Sequence, residues 1–232
     1  MKDAMDNIAV VVLAAGKGTR MLPLTLTTPK PMLKIGTKNL IEHKLELLPS
    51  SVTEIVLVIG YLGEQFREYF GDVWRGKKIS YAVQREQDGT AGALIAAKEF
   101  LPQRFMVMMG DDLYTKEDVE NLLAHRFAIS AVEVENKEIG GEILRGSDGS
   151  FMGMHEARHH VESGLVNTGL YMLDRSIFEY PPQPIGGSST EYGLPHTLAL
   201  LARDIPVEVH ISKRWFQVSS PDDLKRAESF LK

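Results

Sequence analysis

The sequence predicts an α/β fold in a single domain, with a mostly parallel, mixed sheet flanked by helices. Three observations predict it. Short Val/Ile/Leu-rich runs alternate with helical patterns through the first half of the chain, the signature of βα repeats. The first run, residues 8–13, is continuously apolar, as a strand buried on both faces of a parallel sheet must be. No Pro/Gly/Ser linker or charge block divides the 232 residues, a length that suits one large domain with a real core.

The elements follow in order. Strands are expected from Ile8 to Leu13, Glu54 to Ile59, Lys78 to Val83, Phe105 to Met109 and Ala128 to Val134. Between them, apolar residues at three- and four-residue spacing predict helices near Leu40 to Leu48, Leu62 to Phe70, Thr90 to Phe100 and Lys116 to His125. After Val134 the pattern shortens to Gly141 to Arg145, a turn from Gly146 to Gly149, Phe151 to His155, and Leu165 to Leu173. This portion reads as mixed or antiparallel sheet that closes over a ligand. Pro181 to Ser189 is the most loop-like stretch, and helices from Glu191 to Ala202 and from Pro221 to Leu231 end the chain. No internal repeat is present.

Composition narrows the function. The net charge is −5 with both signs interspersed, which argues against nucleic acid or an anionic membrane as the main partner. A phosphate ligand would therefore need local cations. There is no cysteine, so neither disulfides nor thiolate metal sites arise, and no N-terminal apolar segment reaches signal or membrane length. The cytoplasm is the expected compartment.

Local cations occur directly after the first strand, in LAAGKGTRMLPLTLTTPKP, residues 13–31. Gly16 and Gly18 let the backbone approach an anion so that several N–H groups point at phosphate oxygens. Arg20 adds a permanently charged planar fork, and Lys30, held between two prolines, adds a movable point charge. A dinucleotide loop would need a third Gly where Met21 stands, and a Walker loop would need Gly-Lys-Ser/Thr where Gly18-Thr19-Arg20 stands. Two cations and a Gly cradle suit a triphosphate.

In open sheets ligands bind outside the carboxyl ends of the strands. Gly16, Gln84 and Asp111 each follow an apolar run, and Gln217 follows a weaker one, Val207 to Trp215. Asp111, after Phe105 to Gly110, is the candidate Mg²⁺ ligand, because Mg²⁺ is held by one or two carboxylates plus substrate phosphates. Asp112 is left to cap the helix that starts near Lys116. His159 and His160 do not read as a metal site: adjacent residues aim poorly at one ion and no Asp or Cys stands at ligand spacing, so a solvated loop is expected.

The loop, together with Gln84 to Gly92, Gly110 to Asp112, Glu156, Asn167 to Tyr171, Glu191 with Tyr192, and Trp215 to Pro221, resembles the sugar-1-phosphate nucleotidyltransferases, the family that includes glucose-1-phosphate thymidylyltransferase. The resemblance covers most of the chain in order and spacing. It implies a Rossmann-like, GT-A-like fold with a nucleotide-binding half (1–134) and a sugar-phosphate-binding half (135–232), and is compatible with a homo-oligomer. It implies Mg²⁺-dependent transfer of a nucleotidyl group from a nucleoside triphosphate to a sugar 1-phosphate, releasing pyrophosphate. On this pattern Leu13, Ala14, Ala15, Gly16, Gly18, Thr19, Arg20, Gln84, Gly89 and Thr90 bind the nucleotide; Arg20, Lys30 and Asp111 carry catalysis; and Asp111 with Gln217 hold the metal. Gly140, Gly141, Glu156, Arg158, Asn167, Tyr171 and Glu191 bind the sugar phosphate.

The base is expected to be uracil or thymine, since a Gln amide matches their imide face, while Thr90 to Leu94 resembles guanylyl- and uridylyl-transferring members more than thymidylyl ones, so guanine stays open, as does cytosine. Two positions depart from the family pattern: Ala157-Arg158 stands where Lys-Pro is usual, and Gln217 where a second metal-binding Asp is usual. Pro195-His196 replaces a frequent Thr-Asp. These leave two other readings: a catalytically weak nucleotide-sugar-binding or regulatory module, or a cytidylyltransferase acting on phosphocholine or another small phosphate ester.

Overall fold

A computed structural model describes residues 7–186 and 189–231. Strand β1 (Ile8–Leu13) is buried along its whole length and lies between two parallel neighbours, β2 (Val52–Ile59) and β4 (Arg104–Met109). Beyond β2 comes β3 (Lys77–Val83), also parallel. Alternate residues of β1 feed two cores. Ala9, Val11 and Leu13 face one side and Ile8, Val10 and Val12 the other, the two-residue period of a strand covered on both faces.

One core is covered by helices α3 (Gly89–Ala97) and α5 (Leu194–Leu201), through Ala93, Leu94, Ala97, Leu198 and Leu201. The other is covered by α1 (Leu40–Leu45), α2 (Glu64–Phe70) and α4 (Lys116–Leu122), through Ile41, Leu45, Phe66, Phe70, Val119 and Leu122. Asn39 starts α1 with a capping box: its side chain accepts from the Glu42 N–H, while the Glu42 carboxylate accepts from the Asn39 N–H.

The second half joins the same sheet. The long strands β5 (Ala128–Ile139) and β8 (His159–Asp174) pair antiparallel, and β8 also pairs antiparallel with β4, so the sheet runs through residue 134 without a break. β6 (Glu142–Arg145) bonds to β8 and to β7 (Phe151–His155), and β9 (Glu208–Ile211) lies parallel to β5. Helix α6 (Pro221–Phe230) closes the chain with its own capping box, Ser220 to Asp223. A third, small core of Met21, Ile35, Leu40, Leu113, Val218 and Ala227 ties α6 to the loop after β1. Met21, where a dinucleotide loop would have Gly, is that core's anchor.

Three expectations need correction. β5 and β8 extend well past Val134 and start well before Leu165, because their outer ends are polar residues on an exposed two-stranded ribbon with no apolar period to signal them. The late helix begins at Leu194, not Glu191. Pro195 fits only its first turn, and Tyr192–Gly193 instead pair with Gln183–Pro184. Part of the expected 181–189 loop, residues 187 and 188, lies outside the described residues. Among the described residues no helix is long and apolar enough to cross a membrane.

Candidate functional site

The carboxyl ends of β1 and β4 open into one groove made of three communicating cavities. The first is lined by Gly16, Gly18, Thr19, Arg20, Lys30 and Asp111; the second shares Gly16, Arg20 and Asp111 with it and adds Ala15, Gln84, Gly89 and Thr90. The third shares Thr90, Met109 and Ile185 with the second and adds Asp112, Asn167, Tyr171 and Gln217. Leu13 and Ala14 line the first cavity as well. Every residue expected to bind nucleotide therefore faces the groove.

The cradle is built by close backbone approach. Gly110 donates to the Leu13 carbonyl at 2.9 Å, stitching the ends of β4 and β1 together. Gly18 has φ +63, and a Cβ there would lie 2.8 Å from the Lys30 Cβ, so this position takes only Gly without displacing Lys30. The Thr25 hydroxyl donates to the Gly18 carbonyl at 2.9 Å and fixes the loop. Lys30 sits in a one-turn 3₁₀ segment with prolines on both sides, is 6% exposed, and meets the Asp111 carboxylate at 2.5 Å. Arg20, by contrast, is exposed over the groove.

Asp112 does not cap α4. Thr115 does, accepting from the Asp118 N–H. Asp112 is instead buried in the wall of the third cavity, paired across a two-residue ladder with Gln217, and its Oδ1 has no hydrogen-bond partner. Burial, with repulsion from Asp111, pushes its carboxyl well above the usual carboxylate range. Beneath it lies Lys44, wholly buried, donating to the carbonyls of Leu40 and Gly110; burial lowers its pKa to about 8 although Asp112 and Asp111 oppose the shift.

An orphaned buried carboxylate oxygen beside Asp111 and the Gln217 amide makes an all-oxygen donor set that fits a hard divalent cation such as Mg²⁺. Gln217 is placed by this ladder rather than by the Val207 to Trp215 run, whose strand ends at Ile211.

Gln84 is buried and donates from Nε2 to Asp88 Oδ1 (2.7 Å) and to the Gly89 carbonyl (3.0 Å). Both partners can only accept, so the amide orientation is fixed and what Gln84 can offer a ligand is its carbonyl oxygen. Thr90 accepts from the Leu194 N–H at 2.8 Å and the Asp88 carbonyl from the Tyr192 N–H at 2.7 Å, which lock the two halves of the groove together. Gly89 permits this: its φ is +94, and a Cβ would lie 2.4 Å from the Tyr192 carbonyl oxygen.

In the third cavity Asn167 is committed internally. Its Oδ1 accepts from the Gly169 N–H and its Nδ2 donates to the Tyr171 hydroxyl at 2.8 Å, leaving the Tyr171 proton for another acceptor. Tyr171 is fully buried and its phenol pKa is raised by that burial, so it acts as a neutral donor. Gly140, Gly141 and Glu156 line the same cavity, and Glu156 stands 3.7 Å from His196, the residue that replaces the frequent Asp.

Three expected positions differ. Glu191 lines the second cavity, beside Gln84, and not the third, because it precedes the Tyr192–Gly193 strand rather than opening the helix. Arg158 follows a bend at Ala157 and is exposed, with its stem against Gly140, and it does not line the third cavity. His159 is not in a solvated loop: it opens β8 and meets Glu142 across the sheet at 2.9 Å. Asp112, Lys44 and Gln87, which donates to the Ala15 carbonyl, were not legible as site residues; only the Asp111-Asp112 doublet signalled one of them.

The family model described as "Nucleotidyl transferase" matches residues 9–232. The chain belongs to this family. The chain is similar to the bifunctional protein GlmU of Methanocaldococcus jannaschii, 30% identical over 222 residues that cover 95% of this chain and 53% of the relative. It thus spans about half the length of the GlmU relatives it matches. It is also similar to the UTP–glucose-1-phosphate uridylyltransferase AglF of Haloferax volcanii, 30% identical over 231 residues and 95% of each chain. Among solved structures, a UDP-glucose pyrophosphorylase complexed with UDP-glucose superposes with a TM-score of 0.79 at 23% identity, covering 97% of this chain and 98% of that one, which supports the nucleotidyltransferase fold.

Proposed function

We propose that this chain transfers a nucleotidyl group from a nucleoside triphosphate to a sugar 1-phosphate, with UTP or dTTP as the favoured donor, GTP compatible, and Mg²⁺ as cofactor. The observation that carries the reading is the Lys30–Asp111 pair, held at the point where the Gly cradle meets the rest of the groove. An acceptor phosphate oxygen attacks the α-phosphorus, the bond from that phosphorus to the bridging oxygen breaks, and pyrophosphate leaves with the electron pair. The acceptor phosphate is already an anion at neutral pH, so no general base is required and catalysis is alignment plus charge neutralisation.

Arg20 and the Gly16–Gly18 backbone hold the β- and γ-phosphates, and Lys30 meets charge on the α-phosphate. Asp111, Gln217 and the unpartnered Asp112 oxygen would hold Mg²⁺, which supplies charge neutralisation to the phosphates. Tyr171, steadied by Asn167, and Glu156 bind sugar hydroxyls. The Gln84 carbonyl oxygen suits the ring N–H of uracil, thymine or guanine; the corresponding ring nitrogen of cytosine is an acceptor, which counts against the cytidylyl reading. The AglF likeness over nearly the full length of both chains supports a uridylyl donor.

The test is Mg²⁺-dependent pyrophosphate release over UTP, dTTP, GTP and CTP, crossed with several sugar 1-phosphates and phosphocholine. Turnover with a pyrimidine imide donor and a sugar 1-phosphate is expected. Triphosphate binding by calorimetry with no release in any combination would instead establish a binding module.

A further inference from the structure

Outside the groove, three strands bring together a cluster that the proposed reaction does not use. Glu142 on β6, His155 at the end of β7 and His159 at the start of β8 place their ligand atoms within 4.8 Å of one another. Glu142 and His155 are direct cross-strand partners, and the two imidazoles lie with ring centroids 4.6 Å apart. We propose that Glu142, His155 and His159 bind one borderline divalent transition-metal ion of the zinc class.

The chemistry of His159 supports it. Its Nδ1 lies 3.0 Å from the Ala157 carbonyl, which can only accept, so Nδ1 carries a proton. An imidazole oriented by a backbone carbonyl through one nitrogen and presenting the other to a carboxylate is the arrangement of a metal ligand with its outer partner. That other nitrogen, Nε2, faces Glu142 Oε2 at 2.9 Å. Ligand atoms each about 2.1 Å from an ion at a tetrahedral angle are about 3.4 Å apart, so small rotations suffice to admit the ion.

Two imidazoles and one carboxylate select zinc-class ions over Mg²⁺, whose proposed all-oxygen donor set lies in the groove. Three protein ligands at a partly exposed site leave a position for water. The ion would bridge β6, β7 and β8 and fix the bend at residues 156–158. Glu142 and His155 each adjoin a residue of the third cavity, Gly141 and Glu156, so the ion would brace that wall.

The full chain is titrated with Co²⁺ in excess Mg²⁺ and followed by visible d–d absorption, with Zn²⁺ as competitor. One Co²⁺ per chain is expected, displaced by Zn²⁺. Affinity should fall at least about 100-fold in H155A and H159A, since even an outer partner is worth about 10- to 100-fold. H160A, a change at an exposed neighbour, should bind as wild type. E142Q, which keeps the side-chain shape, decides the matter if a His variant is misfolded by circular dichroism: it too should weaken binding. Absence of a cobalt spectrum, its survival in H155A, H159A or E142Q, or equal loss in H160A would overturn the site.

Discussion

Lys30→Met tests the charge at the heart of the groove while keeping an unbranched stem of similar volume. Lys30 has a side chain 8% exposed and faces an Asp111 side chain 26% exposed. The stability cost should fall between that of a surface pair, about 0–1 kcal/mol, and that of breaking a buried one, about 3–5 kcal/mol. Asp111 retains enough exposure to rehydrate, so about 2 kcal/mol is expected, a Tm drop of about 4–8 °C for a chain of this size.

The effect on turnover is larger. Removing one preorganised donor from developing charge costs about 3–4 kcal/mol, or about 10²–10³ in kcat. Triphosphate affinity should change less than kcat, because Arg20 and the loop N–H groups remain. Pyrophosphate release under single-turnover conditions, with calorimetric binding and a thermal melt on the same preparation, separates the effects. A variant within threefold of wild-type kcat, folded and binding nucleotide, would refute the role given to Lys30.

Other perturbations read different parts of the groove. Between pH about 8 and 10.5 the unfolded chain keeps the Lys44 proton that the folded chain has lost, so stability rises with pH there, by at most about 3 kcal/mol; K44M should flatten that rise in chelator-treated protein, and parallel denaturation curves would contradict it. Gln84→Glu sets a carboxylate against Asp88 Oδ1 and removes the donor that both it and the Gly89 carbonyl use, so kcat/KM for the favoured nucleotide should fall by about 1–3 kcal/mol, and equal losses across all four nucleotides would deny Gln84 a part in base selection. Gln217→Asp adds a negative charge opposite Asp112 and should lower the Mg²⁺ concentration for half-maximal activity about tenfold, about 1.4 kcal/mol, while an unchanged Mg²⁺ dependence would remove residue 217 from the metal set.

The half of the fold that was legible in the sequence is the half whose strands are buried on both faces. β1, β2 and β4 are continuous or nearly continuous apolar runs, β3 is a mixed run with only Ile79 and Ala82 buried, and the expected starts and ends of all four agree with the structure to within two residues. The outer ends of β5 and β8 carry Glu, Lys, His and Ser on an exposed ribbon, where pairing is set by a neighbour remote in sequence and not by a local period. The start of α5 was hidden for a related reason, since Tyr192 is held by the Asp88 carbonyl rather than by helix geometry.

The site divides in the same way. Gly16, Gly18, Arg20, Lys30 and Asp111 could be read because one loop and one strand end carry them. Asp112 could not, because whether an acidic side chain after a strand caps the next helix or turns into a cavity depends on Thr115 taking the cap. Lys44 reads as an ordinary helix lysine until the fold buries it under Gly110. Likewise Glu142, His155 and His159 have no common motif; three strands bring them together.

In the proposed reaction an acceptor phosphate oxygen attacks the α-phosphorus. Sugar 1-phosphate labelled with ¹⁸O in its non-bridging oxygens, turned over with unlabelled UTP and Mg²⁺, tests it through ³¹P NMR isotope shifts. Such an attack places ¹⁸O on the β-phosphorus and in the bridge of the nucleotide sugar and leaves the pyrophosphate unlabelled. Label in the released pyrophosphate, or a nucleotide sugar without label in its bridge, would contradict it.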